Sequence, residues 1–511
     1  MAQFTAMDAV PATGRFDAEE IVDGAFATVR PQLVEMLESL CGPVTPAMLF
    51  HFELIVFTLL REFGRVLLEK LFNSLEGDGS ELPHDVMFSG QGYRRLGKKT
   101  RNQHVATLFG KVCLWRFPYR FWERGVNEPC IFPLELQFGL VQGVTPALAD
   151  LIGRRMAEAG ATQKRVLQQL REEHAVSMGV KRLRKLVAAL AEGLSEYREA
   201  SQVEALLQAL QEADFSRGNR KPVIAVGRDG ITLRQHKHGV FEIATVATVT
   251  VFDRSGKRLT TVYLAWRPEL GQATMSEMLT SLLTEVLEQW HGPLPTLSYI
   301  TDSGSSESEY FKHTLEHMCH PRTGKRLVWQ RVADYYHAAE RVWKMSEMLL
   351  GKKSKRYKRW ARRMLRLLKK PNGPKRVLHS AATHKARRKF GKKRLKEFNT
   401  AYNYIRNRTQ WMQYNQFKNR HIPLGSGITE AACKTVFTQR LKLSGMRWKD
   451  ACAQRILSLR TILLSSIWST EVRGVFRTVQ LLISEGREKR PARPFKGLAR
   501  TLSCDPGLVT V

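Results

Sequence analysis

The chain has 511 residues, 81 of them Lys or Arg and 48 Asp or Glu, giving a formal net charge of +33 and a pI near 10.1. No apolar run reaches the ~18 residues of a membrane span, and Asp8, Asp17, Glu19 and Glu20 stand where a signal peptide would be basic and then apolar, so a cytoplasmic setting is expected. Seven scattered cysteines without a CxxC pair make neither a disulfide framework nor a zinc ribbon, whereas so large a positive excess draws polyanions, nucleic acid first among them.

With 43% hydrophobic residues the chain can bury sizeable cores, and its length predicts roughly three or four domains. In the N-terminal segment 1–90, Leu54, Phe57, Leu60, Phe63 and Leu67 recur at helical spacing, which predicts an amphipathic helical region. Positive charge begins at Arg94, Arg95, Lys98, Lys99 and Arg101. There, within 91–135, LFGKVCLWRFPYRF reads as two short strands about Gly110, a small β element.

Residues 136–215 return to helix. Thr162 is placed to cap a helix ending near His174, a break at Ser177 and Gly179 follows, and a second helix carries Lys181, Arg182, Arg184 and Lys185. Two short helices, the second strongly basic, have the look of a helix-turn-helix DNA-binding region. A plain helical hairpin shares that pattern.

Beyond the polar stretch 216–221, strands are predicted at 222–228, 241–252 and 259–266, a helix at 275–290, a strand at 296–301, a helix at 307–318 and a strand at 326–332. The order βββαβαβ is that of an RNase H-like domain, so 216–345 reads as the first part of such a core. In that topology the first and fourth strands are neighbours. Asp229 in VIAVGRDGI and Asp302 in LSYITDSG would then lie side by side, and Glu430 in PLGSGITEAACK would join them from a helix. Three carboxylates so gathered can hold two Mg²⁺ or Mn²⁺ ions about 4 Å apart. Taken singly, each has a plainer use as a hairpin turn, a loop cap or a helix N-terminal charge.

Roughly 130 residues separate Asp302 from Glu430, far more than a direct connection needs. The surplus, 346–420, reads as a basic helical insertion lying along the substrate. Its stretch 352–396 holds roughly 20 Lys or Arg and no acidic residue. Trp360, Met364, Leu365, Leu367 and Leu368 are interleaved at helical spacing, and Arg387, Arg388 and Lys389 form a typical cluster for nucleic-acid backbone contact. Closing helices follow at 421–470, one running from Thr429 to about Leu443 with Gly445 as its C-cap. Lys434, Arg440 and Arg447 would there meet phosphate beside the metals; a basic tail occupies 471–511. The fold class expected is a multidomain α+β chain, its RNase H-like core interrupted by a helical insertion and preceded by mainly helical DNA-binding regions.

GSGITEAACKTVFTQRLKLSGMRW followed by AQRILSLRTILLSSIW closely resembles the C-terminal motif of ISKra-type bacterial insertion-sequence transposases of the DDE superfamily. The likeness extends upstream through VADYYHAAERVW and ITDSG to GRDGI, covering about 222–470, and is looser before residue 200. Several relatives carry paired cysteines near the β element that this chain lacks. The resemblance implies that Asp229, Asp302 and Glu430 are the catalytic metal ligands. It also implies that Asp334 and His337, a D-x-x-H pair, order the active site or the flanking DNA; by spacing alone they serve equally as a helix-start cap.

The implied activity is binding of the element's terminal inverted repeats, metal-assisted DNA cleavage and strand transfer. The partners would be double-stranded DNA of the element ends and target, and further copies of the chain in a homodimer or larger assembly, at the nucleoid of a bacterial cytoplasm. A nuclease or resolvase without strand transfer, or a domesticated non-catalytic DNA-binding protein, are the alternatives.

Overall fold

The structure, a computed structural model, describes residues 16–39, 44–80, 82–88, 91–122, 129–234 and 241–470. The expected basic tail 471–511 lies outside the described residues. The chain divides into two compact units, Met1–Tyr197 with Ser469–Val511, and Arg198–Trp468.

In the first unit, α1 (Ala18–Glu38) starts at Asp17, whose carboxylate accepts from two first-turn N–H groups, and α2 (Pro46–Ser74) starts at Thr45 with proline in its first turn. Strands β1 (Asp85–Phe88), β2 (Gln91–Arg95), β3 (Thr100–Thr107), β4 (Gly110–Arg116) and β5 (Tyr119–Phe121) follow. They form a β1-β2-β5 sheet and a β3-β4 hairpin, turned at Gly110, whose φ of 125° suits glycine. Helices α3 (Pro133–Gln137), α4 (Pro146–Ala157) and α5 (Gln163–His174) come next. Thr162 caps α5, its hydroxyl accepting from Arg165 N–H at 3.2 Å, and Ala175 ends it in the left-handed region.

The second predicted short helix is instead a 36-residue one, α6 (Val180–Phe215). Nothing in it stops a helix: it has no proline, and its single Gly193 costs only about 1 kcal/mol against alanine. Buried leucines such as Leu183, Leu186, Leu206 and Leu210 outweigh that cost.

The second unit is built on a five-stranded mixed sheet, order β10-β9-β6-β7-β8. The strands are β6 (Val223–Arg234), β7 (Phe241–Phe252), β8 (Arg258–Trp266), β9 (Thr296–Thr301) and β10 (Trp329–Ala333), with α7 (Ala273–Gln289) before β9 and α8 (Ser305–His313) before β10. The predicted element order is present, and the first and fourth strands of this unit are neighbours. Strands β6, β7 and β8 are antiparallel, whereas β9 runs parallel to β6 and β10 parallel to β9. One difference matters to the site: β6 does not end near Asp229. It pairs with β7 as far as Arg234 opposite Phe241, while its pairing with β9 stops at Val226.

Alternation along β6 divides the core. Ile224 and Val226 pack with Leu206, Leu279 and Leu283 of α6 and α7 on one face, while Val223 and Ala225 pack with Val342, Met364, Val377 and Phe398 on the other. These latter residues belong to α9 (Tyr335–Leu350), α10 (Lys355–Leu368), α11 (Gly373–Ala386) and α12 (Lys392–Arg408), which α13 (Tyr414–Asn419) follows. The basic insertion therefore shares the sheet's core instead of forming a body of its own. On α10 the cause is plain: Trp360, Met364 and Leu368 recur every fourth residue and are buried, while Arg359, Arg362, Arg363 and Arg366 face out.

The closing segment comprises α14 (Gly427–Ala432), a π-helical stretch Cys433–Thr438, α15 (Gln439–Leu441) and α16 (Asp450–Leu464). Gly445 follows with φ 75°. Among the described residues no helix is long and apolar enough to cross a membrane, and Cys113, Cys130, Cys319, Cys433 and Cys452 are free thiols.

Candidate active site

The strand register brings the first carboxylates together. Val223 of β6 lies opposite Thr296 of β9 and their pairing ends at Val226 opposite Tyr299; Asp229 stands three residues past that last pair and Asp302 one residue past the end of β9, close enough for the Asp302 charge to act on Asp229. Ala333 of β10 lies opposite Thr301, so Asp334 in turn comes level with Asp302. Three carboxylates thus follow the paired stretches of three neighbouring parallel strands, at the end of the sheet where open α/β sheets form their ligand crevices. By alternation from Ala225 and Ile300, Asp229 and Asp302 fall on the α9–α12 side of the sheet.

Glycine lets the third carboxylate approach. A Cβ on Gly227 would come within 1.9 Å of Thr429 Oγ1, and that hydroxyl lies 2.7 Å from Thr248 Oγ1, so α14 sits directly on β6 and β7. Glu430 and Cys433 are thereby carried to Asp229. The Cys433 thiol donates to Asp229 Oδ2 at 3.3 Å, and Gly230 N–H donates to Oδ1 at 2.7 Å. Burial pushes the Asp229 carboxyl up; the two donors pull it down, and the charges of Asp302 and Glu430 raise it. Burial, followed by the neighbouring Asp229, also drives the Cys433 thiol well above its ordinary range, so it remains a protonated donor. Its place in a π-helical stretch fits the tendency of such irregularities to occur at functional sites.

Asp302 has a different environment. It is exposed, and its Oδ1 accepts from Gly304 N–H at 2.9 Å. Two α12 side chains hold its loop: Tyr404 Oη donates to the Asp302 carbonyl and Arg408 Nη2 to the Ser303 carbonyl, both at 3.0 Å. Burial pushes the Tyr404 phenol up to about 12, so it donates throughout the neutral range.

Asp334 is fully buried and capped on both oxygens. Oδ1 accepts from His337 N–H at 2.8 Å, while Oδ2 accepts from the N–H of Ser426 and lies 2.7 Å from its hydroxyl. That hydroxyl is also 2.7 Å from Glu430 Oε1, and with one proton it serves one carboxylate at a time. The His337 ring lies between two acids, Nε2 at 3.5 Å from Glu430 and Nδ1 at 3.5 Å from Glu340. Asp334 therefore both starts α9 and anchors the loop that presents Glu430. Ligand atoms of Asp334, His337 and Glu430 all fall within 4.8 Å of one another; Asp229 stands outside that tight group and feels the charges of Asp302 and Glu430.

The donor set suits a hard divalent cation. It consists of carboxylate oxygens with one imidazole beside them, and the Cys433 sulfur next to Asp229 is held as a neutral thiol. Cys433, Ser426, Tyr404, Arg408 and the buried Glu307 were not singled out from sequence. The contacts of Cys433 with Asp229, of Ser426 with Asp334 and of Tyr404 and Arg408 with the Asp302 loop reach across 92 to 204 positions, where local patterns carry no signal.

The expected DNA-contacting cations divide. Lys434 and Arg447 are exposed, but Arg440 is only 1% exposed, lies over the Trp448 ring and has its pKa lowered to about 10 by burial. It stands on the buried stripe of this segment, since Ala432, Cys433, Val436, Phe437, Arg440 and Leu441 recur at helical spacing and are all buried. Lys181, Arg184 and Lys185 are exposed, whereas Arg182 is half-buried and donates to the carbonyls of His104, Gln142 and Gly143 at 2.7, 3.0 and 3.0 Å. Arg182 thus pins a turn in its own unit instead of standing free for DNA. Arg387, Arg388 and Lys389 are exposed, with Arg388 also donating to the Leu349 carbonyl. Compared with models of known protein families and with curated proteins, the chain gives no match in either.

Proposed function

We propose that Arg198–Trp468 is an RNase H-like catalytic core and that the chain is a DDE transposase, cutting DNA at the ends of an insertion sequence and joining them to a target. One observation carries this reading: Asp229 and Asp302 follow the paired stretches of adjacent parallel strands, and the Glu430 helix is seated on the Asp229 strand through Gly227 and Thr429, so that the charges of Asp302 and Glu430 both act on Asp229. Asp229, Asp302 and Glu430 would hold two Mg²⁺ or Mn²⁺ ions, which when bound supply activation of the attacking oxygen and stabilisation of the leaving one. The chain's own part is to hold these carboxylates. Cys433 and Gly230 fix Asp229, Tyr404 and Arg408 fix the Asp302 loop, and Ser426, tied to Asp334, fixes Glu430.

Exposed Lys434, one helical turn after Glu430, is placed to meet the phosphate. In the first step water attacks the scissile phosphorus and a 3′-hydroxyl leaves; in the second that hydroxyl attacks a target phosphodiester, whose own 3′-oxygen departs. No protein–DNA bond is needed. The substrate is double-stranded DNA of element ends and target, bound by a homodimer or larger assembly at the bacterial nucleoid.

A strand-transfer assay tests this. The full chain is incubated with Mg²⁺, a supercoiled plasmid and labelled duplexes carrying the DNA that flanks its coding sequence. Label joined to plasmid is the expected product. Cut duplex without joining would replace the reading with a nuclease or resolvase, and no cutting would remove it.

A further inference from the structure

A polar cavity lies in the same unit, bordered by α12, the helix that also holds the Asp302 loop. It measures about 610 Å³, within the ~300–1,000 Å³ range of ligand pockets. Its lining includes three cations, Lys370, Lys375 and Arg406, and the carboxamides Asn407, Gln410 and Gln413, with no carboxylate. Buried Met412 adds an apolar surface.

The position of this cavity follows from α12. Tyr404 and Arg408 hold the carbonyls of Asp302 and Ser303, while Arg406 and Asn407, between them in sequence, border the cavity. The two sites are thus separated by about one helix diameter, ~10–12 Å. A DNA strand advancing ~3.4 Å per nucleotide crosses that distance in about three nucleotides.

The lining chemistry selects among anions. A simple anion or an acidic peptide needs only the cations. A carboxamide offers a donor and an acceptor side by side, which matches the edge of a base, adenine above all. The side chains of Asn407 and Gln410 spend no hydrogen bond on the described protein, so those edges are free.

We propose that this cavity binds one nucleotide of the DNA strand held at the carboxylates, its base against Asn407, Gln410 and Gln413 and its flanking phosphates against Lys370, Lys375 and Arg406. This rests on the DNA reading above and adds a base-selective subsite a few nucleotides from the cut.

Binding of the full chain to two labelled single strands of about 12 nucleotides, oligo(dA) and an abasic strand with the same phosphates, tests it by fluorescence anisotropy at matched salt. The wild type should prefer oligo(dA) about tenfold. Combined Asn407→Ala, Gln410→Ala and Gln413→Ala should abolish that preference and leave the salt dependence unchanged. Combined Lys370→Ala, Lys375→Ala and Arg406→Ala should weaken both strands and reduce the log–log salt slope by up to about 2. Gln410→Glu, a single exposed change that the fold tolerates, should lower affinity for both by charge repulsion and shift the preference. Equal wild-type binding of the two strands, or a carboxamide variant that keeps its preference, overturns the subsite while leaving DNA binding intact. Binding of neither strand by a chain that still binds duplex would likewise overturn the subsite, and failure to bind duplex as well would overturn the DNA reading itself.

Discussion

Glu307 stands on the first turn of α8 with 8% of its surface exposed. Burial is the main force raising its carboxyl, and the charges of Asp302 and Asp229 add to it against the opposing Arg228. The folded value therefore lies above the unfolded one, near 4.3. Its contribution to stability is complete below that unfolded value and is lost as pH rises through the folded one. Thermal melts of Glu307→Gln in EDTA should match the wild type at about pH 4 and exceed it increasingly toward about pH 7; a pH-independent difference would contradict the buried carboxyl. At Asp229 the comparison is Cys433→Ala against Cys433→Ser. Loss of a donor worth about 1 kcal/mol predicts a roughly fivefold slower single-turnover cleavage in the alanine variant. Serine, which keeps a donor, should stay within about twofold, and equal rates for both would remove the thiol from any positioning role.

Between elements, the closest contact is that of β6 with α14. Gly227→Ala must push Thr429 away, a cost of about 1–3 kcal/mol for overpacking, and Glu430 moves with it. Cleavage should fall much more than DNA binding; a variant with wild-type cleavage would show that α14 need not sit so close. The basic N-terminal part of α6 allows a second comparison. Arg182→Ala should lower the melting temperature, since it removes three hydrogen bonds to the carbonyls of His104, Gln142 and Gly143. Replacing Lys181, Arg184 and Lys185 should instead weaken DNA binding, lowering the salt slope by up to about 2.7.

The start of α6 and the cap at Thr162 were legible because caps and breaks are local. Its length was not, since nothing between residues 180 and 215 marks an end and burial of Leu206 and Leu210 is a property of the sheet it meets. Asp229, Asp302 and Glu430 stood out by their settings, whereas Arg440 was read as a phosphate contact by its charge although its spacing from Val436, Phe437 and Leu441 puts it on the buried stripe.

At the scale of the molecule, charge and core are interwoven. The strongly basic helices α10 to α12 bury Trp360, Met364 and Phe398 against the sheet and turn their cations outward, so the surface charge belongs to the same unit as the carboxylates. The sequence pattern revealed both the apolar stripe and the positive excess. It left open whether the stripe closed on itself or on the sheet, because either partner buries the same residues.

The measurement that tests the central claim most directly is Mg²⁺-dependent cleavage of flanking-DNA duplexes by the wild type and by Asp229→Ala, Asp302→Ala and Glu430→Ala, with duplex binding measured on the same samples. All three variants should bind the duplex about as the wild type does and release no product. Wild-type cutting by Asp302→Ala would contradict the assignment of these carboxylates as the metal ligands.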